Sequence, residues 1–137
     1  MGVLKELTEG LVSLVRGCSI DLKHLGSTVG LTDGSPVLIV ATKSGFLRVI
    51  PVASRHIAQI RIAFTLSRFR HSAHSLLSLI RGREMQMVHS TGFCPMHDRC
   101  IWEGYFLAGE RDKIEELCAL VRKMDDVLGV EVTYLSA

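Results

Sequence analysis

The residues best suited to chemistry lie in one short run, Cys94-Pro95-Met96-His97-Asp98-Arg99-Cys100. Two thiols and an imidazole so close together can meet at one tetrahedral or square-planar ion, since thiolate and imidazole are the donors that zinc and other thiophilic metals take. A fourth donor is needed. His89 stands upstream in the same stretch, and His74 and its neighbour His71 fall on a preceding helical segment, from which a donor could come from a second chain. Two other readings of Cys94 and Cys100 stay open: small packing residues, or a disulfide across a hairpin. Arg68, Arg70 and His71 open the same helical segment. The free N–H groups at a helix start favour phosphate or carboxylate, so these three are the candidates for an anionic effector.

Catalysis finds little support. The sequence shows no phosphate-binding loop, no dinucleotide fingerprint, no Ser-His-Asp set in a recognisable order and no paired carboxylates in an evident cleft. Cys94 with His97 would make a nucleophile and its base, but no oxyanion donor or orienting residue can be named beside them. The chain is expected not to be an enzyme. Cys118 shares an apolar stripe with Leu117 and Val121 and is expected in the core, as is Cys18. Trp102, Tyr105 and Phe106 fall on one expected strand and are assigned to the core of a sheet.

The charge is unevenly placed. Between Gly34 and Arg83 there is no acid, while Lys43, Arg48, Arg55, Arg61, Arg68, Arg70, Arg81 and Arg83 give +8; the rest of the chain carries −6. An acid-free stretch suits an anionic partner such as DNA, because each Lys or Arg placed against a phosphate releases a condensed counterion. The other explanation is pairing between basic and acidic modules of neighbouring subunits.

These residues must be positioned by elements that the pattern reveals. Turn residues Leu31 to Ser35 lead into Val37–Val40, then Lys43-Ser44-Gly45, then Phe46–Ile50, which predicts two strands around a turn. Ser19–Leu22 reads as a short strand and Leu22–Val29 as a turn or two of helix, while residues 3–15 are ambiguous because Gly10 interrupts a helical spacing. Further on, Ile60, Ile62 and Phe64 alternate with Gln59, Arg61 and Ala63, a half-buried strand. Phe69, Ala73, Leu76, Leu77 and Ile80 form one stripe of a helix stopped near Gly82. Strands at 85–90 and 101–107 follow, then a helix carrying Ile114, Leu117, Leu120, Val121, Met124 and Leu128 and ended by Gly129, then a strand with Val130, Val132 and Tyr134. The order βαββαβ is the ferredoxin-like plan, so the fold class is α+β: a small β-rich module over residues 1–54 and a βαββαβ domain over residues 55–137.

Two resemblances attach to these modules. Arg16-Gly17, Lys23, Val29-Gly30-Leu31, Gly34, Val37–Val40, Gly45 and Ile50-Pro51 fall in the order of the AbrB/SpoVT swapped-hairpin DNA-binding family, which the first module resembles. That resemblance implies a DNA-binding hairpin interleaved between two chains; the candidate DNA contacts are Arg16 and Lys23 of its N-terminal arm together with Lys43, Arg48 and Arg55 of the acid-free stretch. The second module resembles ACT-like regulatory domains, and within them the nickel-responsive repressor family NikR, through His97, Cys100, Gly109, Ile114 and Leu117. It implies a sensor of a small-molecule or metal effector. Gly92 and Cys94 replace the two histidines with which that family's turn begins, so zinc or another thiophilic ion is expected in place of nickel.

At 137 residues and 15.1 kDa, two such small modules bury only modest cores, so a homodimer or homotetramer is expected. Four cysteines are too few for a disulfide scaffold, and no apolar run approaches the roughly 18 residues of a membrane helix, so a cytoplasmic protein with no membrane partner is expected. The functional expectation is a ligand- or metal-responsive transcriptional regulator. The alternative is a metal- or metabolite-binding oligomer, without DNA, whose first module serves assembly.

Overall fold

The computed structural model describes residues 8–137 except Leu66, Arg68 and Glu110. The chain divides into two compact units, residues 8–35 and residues 36–137.

Residues 8–35 hold one short helix, α1 (His24–Thr28). The stretch expected to be a strand, Ser19–Leu22, forms none; a tight turn precedes it, in which Arg16 and Ser19 exchange backbone hydrogen bonds and Cys18 takes a positive φ of 60°. That turn leaves Cys18 exposed, against the expectation of a core residue. Glu9 ties the unit together, accepting from Thr28 Oγ1 at 3.1 Å and pairing with His24 Nε2 at 3.0 Å. No helix or strand forms in residues 8–15, and residues 1–7 lie outside the described residues.

The second unit opens with β1 (Val37–Ala41) and β2 (Leu47–Pro51), antiparallel in the register Leu38↔Ile50 and Val40↔Arg48. Thr42 N–H donates to the Phe46 carbonyl at 2.9 Å, and Gly45 at φ 101° supplies the backbone that the turn requires. The hairpin belongs to this unit because its inner residues Leu38 and Val40 are buried with Ile57, against Val88, Tyr105 and Leu107. A two-stranded ribbon cannot bury its apolar face alone, and here the larger sheet covers it.

That sheet is built from β3 (His56–Thr65), β4 (Met87–Met96), β5 (Arg99–Leu107) and β6 (Val127–Ser136), with α2 (Phe69–Gly82) and α3 (Arg111–Arg122) between them. All neighbours are antiparallel and the order is β4-β5-β3-β6, the ferredoxin-like arrangement. The α+β class is as expected. Strand alternation sorts the side chains: Ala58, Ile60, Ile62 and Phe64 of β3 and Trp102 and Phe106 of β5 face Leu76, Ile80, Ile114, Leu117, Cys118 and Val121 of the helices. Gly104, between the two rings, has no space for a side chain, since a Cβ there would lie 2.2 Å from Trp102 Cη2. Tyr105 points to the opposite face and is not part of that core.

Three boundaries differ from the sequence reading. β4 and β5 run on through Cys94 and Cys100, leaving only His97 and Asp98 in the turn, because pairing resumes at Met96↔Arg99. α3 stops at Arg122 and does not reach Leu128: Lys123 and Met124 donate to the carbonyls three residues back, and Leu128 is exposed on β6. Leu77 of α2 is exposed also, so the buried stripe is narrower than predicted.

Candidate functional site

On the helix side, α2 and the segment Lys123–Asp126 enclose an open cleft of about 580 Å³. His71, His74, Ser75 and Ser78 recur at the three- and four-residue spacing that places them on one face of α2. Opposite them stand Lys123, Asp125 and Asp126, with Leu79 and Met124 supplying the apolar lining. The segment is anchored from below. Ser72, fully buried on α2, donates its hydroxyl to Asp126 Oδ2 at 3.0 Å, and Thr65 N–H donates to the Asp126 carbonyl at 3.0 Å. The cleft thus joins one ammonium, two imidazoles and two hydroxyls to a carboxylate pair, a set suited to a small polar molecule with an anionic group and a hydrogen-bond donor.

The predicted effector residues are partly gathered here. His71 lines the cleft, Arg70 is exposed on α2, and Arg68 lies outside the described residues. Lys123 and Asp125 were missed because the sequence reading carried α3 through them. The signal that could have found them is the polar run Lys123, Asp125, Asp126 inside an otherwise amphipathic pattern.

The five expected metal ligands are distributed over three places. Cys94 and Cys100 are joined as a disulfide, one of the readings left open above, and in that state offer no thiolate. His97 is exposed in the adjoining turn, and His74 lines the cleft. His89 projects from the other face of the sheet, where Arg48 Nη1 donates to its Nδ1 at 3.2 Å and its Nε2 lies 2.8 Å from Thr91 Oγ1. Arginine can only donate, so Nδ1 is the bare nitrogen and Nε2 carries the proton. Burial and then the Arg48 charge push its pKa below the ordinary histidine value. Among the described residues, no group of three His, Cys, Asp or Glu side chains is placed to hold a metal ion.

That same sheet face carries a cross-strand polar network. Arg61 pairs with Glu103 at 3.0 Å and with Glu131 at 3.6 Å, and Gln59 donates to Tyr105 Oη at 3.0 Å. Burial pushes the Tyr105 phenol up, Glu103 adds to the shift, and Arg61 opposes it. Each acid is matched, and the cluster has the form of a structural clasp between β5, β3 and β6.

Of the DNA candidates, Arg16 and Lys23 are exposed in residues 8–35, while Lys43, Arg48 and Arg55 are exposed in the second unit. Lys43 sits at the hairpin turn and Arg48 on β2, engaged with His89. The outer hairpin face is apolar, with Ile39, Leu47 and Val49 exposed beside Phe46.

No family model and no curated protein matches the sequence. Solved structures do resemble it in fold. The C-terminal domain of the MgtC protein from Mycobacterium tuberculosis superposes with a TM-score of 0.54 at 10% identity, over 64% of this chain and 95% of that one. The ACT domain of GTP pyrophosphokinase from Chlorobium tepidum gives a TM-score of 0.49 at 17% identity, over 56% of this chain and 96% of that one. The class is therefore an α+β protein with a ferredoxin-like βαββαβ domain. No comparison supports the swapped-hairpin resemblance of the first module. No helix among the described residues is long and apolar enough to cross a membrane.

Proposed function

We propose that the chain is an effector-responsive regulator, in which the βαββαβ domain takes a small polar effector in the cleft between α2 and Lys123–Asp126. The observation that carries this reading is the convergence of Lys123, His71, His74, Ser75 and Ser78 beside a segment anchored through Ser72 and Asp126. A ligand held between a helix and a connecting segment favours one arrangement of the two, and that difference in binding free energy is what can be passed to a second site. A metal effector requires Cys94 and Cys100 as thiolates, so the reading adopts a small molecule. The output is DNA binding by a homodimer, through Arg16, Lys23, Lys43 and Arg55, all exposed.

A second reading is favoured by the hairpin itself. Its outer face exposes Ile39, Leu47 and Val49, and Arg48 is engaged with His89, which suits assembly without DNA. Gel retardation of a random duplex at several salt concentrations, run beside light scattering, separates the two. Regulation through DNA predicts an oligomer that shifts duplex, with each phosphate contact contributing about 0.9 to the log–log salt slope. An oligomer that shifts no duplex at low salt supports assembly alone.

A further inference from the structure

The Cys94–Cys100 disulfide adds little to the fold in which it sits. β4 and β5 are consecutive strands, paired from Met87↔Phe106 to Phe93↔Ile101 and again at Met96↔Arg99. Only six positions separate the cysteines. A cross-link stabilises mainly by removing loop-closure entropy from the unfolded chain, so one across so short a loop contributes least.

Its two ends have different surroundings. Cys100 is fully buried on the helix side of β5, in register with Phe64. As a neutral thiol it can stay there, because free cysteine packs as a small hydrophobe. Cys94 is exposed on β4, an edge strand of the sheet, and is open to attack by a thiolate. The β4–β5 register breaks between Phe93 and Met96, so little ladder holds this end of β4 without the cross-link. Of the two free cysteines, Cys118 is buried and unable to take part in exchange, while Cys18 is exposed.

We propose that Cys94–Cys100 is a thiol–disulfide switch that fixes or releases the end of the edge strand β4 and the turn after it. The reductant is a thiol of the glutathione type. Its thiolate attacks Cys94 Sγ, the Cys94–Cys100 bond breaks, and the electron pair leaves on Cys100 Sγ, which takes up the proton that the thiol lost. A second thiolate attacks the glutathione sulfur of the mixed disulfide and expels Cys94, which is protonated in turn. Two thiols are oxidised to one disulfide while one disulfide of the chain becomes two thiols. A disulfide with one exposed cysteine and little structural duty is the kind that glutathione buffers convert; structural ones resist them.

The test uses the full chain carrying Cys18→Ser, equilibrated in buffers of reduced and oxidised glutathione. Samples are quenched in acid, alkylated in denaturant and counted by mass, with amide hydrogen exchange followed in parallel. The switch predicts reversible gain and loss of two thiols in the folded protein, with amide exchange in residues 93–99 at least tenfold faster in the reduced form and the rest of the sheet unchanged. Cys94→Ser should show the same fast exchange without reductant. A pair that stays oxidised until the protein unfolds overturns the proposal. So does a pair that is reduced with no change of exchange in residues 93–99, or a Cys94→Ser variant that retains slow exchange there.

Discussion

Replacing Gly104 by Ala puts one methyl group where the sheet and helices meet. The new Cβ would lie 2.2 Å from Trp102 Cη2, 2.8 Å from Trp102 Cζ3 and 2.9 Å from Phe106 Cε2. Carbon atoms in contact need about 3.5 Å, so the Trp102 ring must retreat by roughly 1 Å or more. Trp102 is 7% exposed and Phe106 fully buried, and a close-packed interior gives neither ring an easy path. Overpacking of this kind costs about 1–3 kcal/mol, and two buried rings at once put the site at the top of that range. Removing a glycine from the unfolded ensemble returns about 0.4–1 kcal/mol, leaving a net loss of roughly 2 kcal/mol. With a urea dependence of about 1.5 kcal/mol per molar, the midpoint should fall by roughly 1.3 M. Urea unfolding followed by far-ultraviolet circular dichroism measures it. Combining Gly104→Ala with Trp102→Phe, which removes the offending ring atoms, should recover about 1 kcal/mol as a coupling term. A Gly104→Ala protein within about 0.5 kcal/mol of the parent would refute the placement of these two rings against β5.

Two further outcomes follow from the hydrogen bonds and the titrating groups. His89 has its pKa lowered in the folded state, so the unfolded chain binds the extra proton first. Its contribution to stability is therefore full above about pH 6.5 and is lost as pH falls through the lowered value, and His89→Gln should flatten the stability profile in that window alone. A urea midpoint series between pH 5 and 8 checks this, and an unchanged slope in the variant would contradict it. Ser72→Ala removes a buried hydroxyl that donates to Asp126 and should cost about 1–2 kcal/mol in urea unfolding, toward the lower part of the range for charged acceptors because Asp126 keeps some contact with water.

The core of the βαββαβ domain was readable because its signal is periodic. Residues 58–64 alternate strictly, and Ile114, Leu117 and Val121 fall on one helical face, so burial and pattern agree. The hairpin strands were readable for the same reason, but not their attachment: Leu38 and Val40 pack on Ile57, Val88, Tyr105 and Leu107, a contact with no local trace. Tyr105 was misplaced because an aromatic strand was read as one stripe, whereas adjacent residues of a strand point to opposite faces. The cleft was half legible. His71 and His74 drew attention as ligands, but Lys123 and Asp125 were hidden by an apolar spacing at Met124 and Leu128 that continues that of α3 while the backbone turns away at Arg122. Cys94 and Cys100 stood out by type, yet their choice between metal and disulfide depends on oxidation state, which spacing does not encode.

The central claim is that the cleft between α2 and Lys123–Asp126 binds a small polar effector. Two-dimensional amide NMR of labelled protein, titrated with inorganic phosphate and with succinate, tests it most directly. The account predicts saturable shifts confined to residues 71–79 and 123–126 for at least one of the two anions. Lys123→Ala should weaken that binding at least tenfold, about 1.4 kcal/mol, without altering the spectrum elsewhere. Shifts that are absent at millimolar ligand, that fall outside the cleft, or that survive Lys123→Ala unchanged would contradict it.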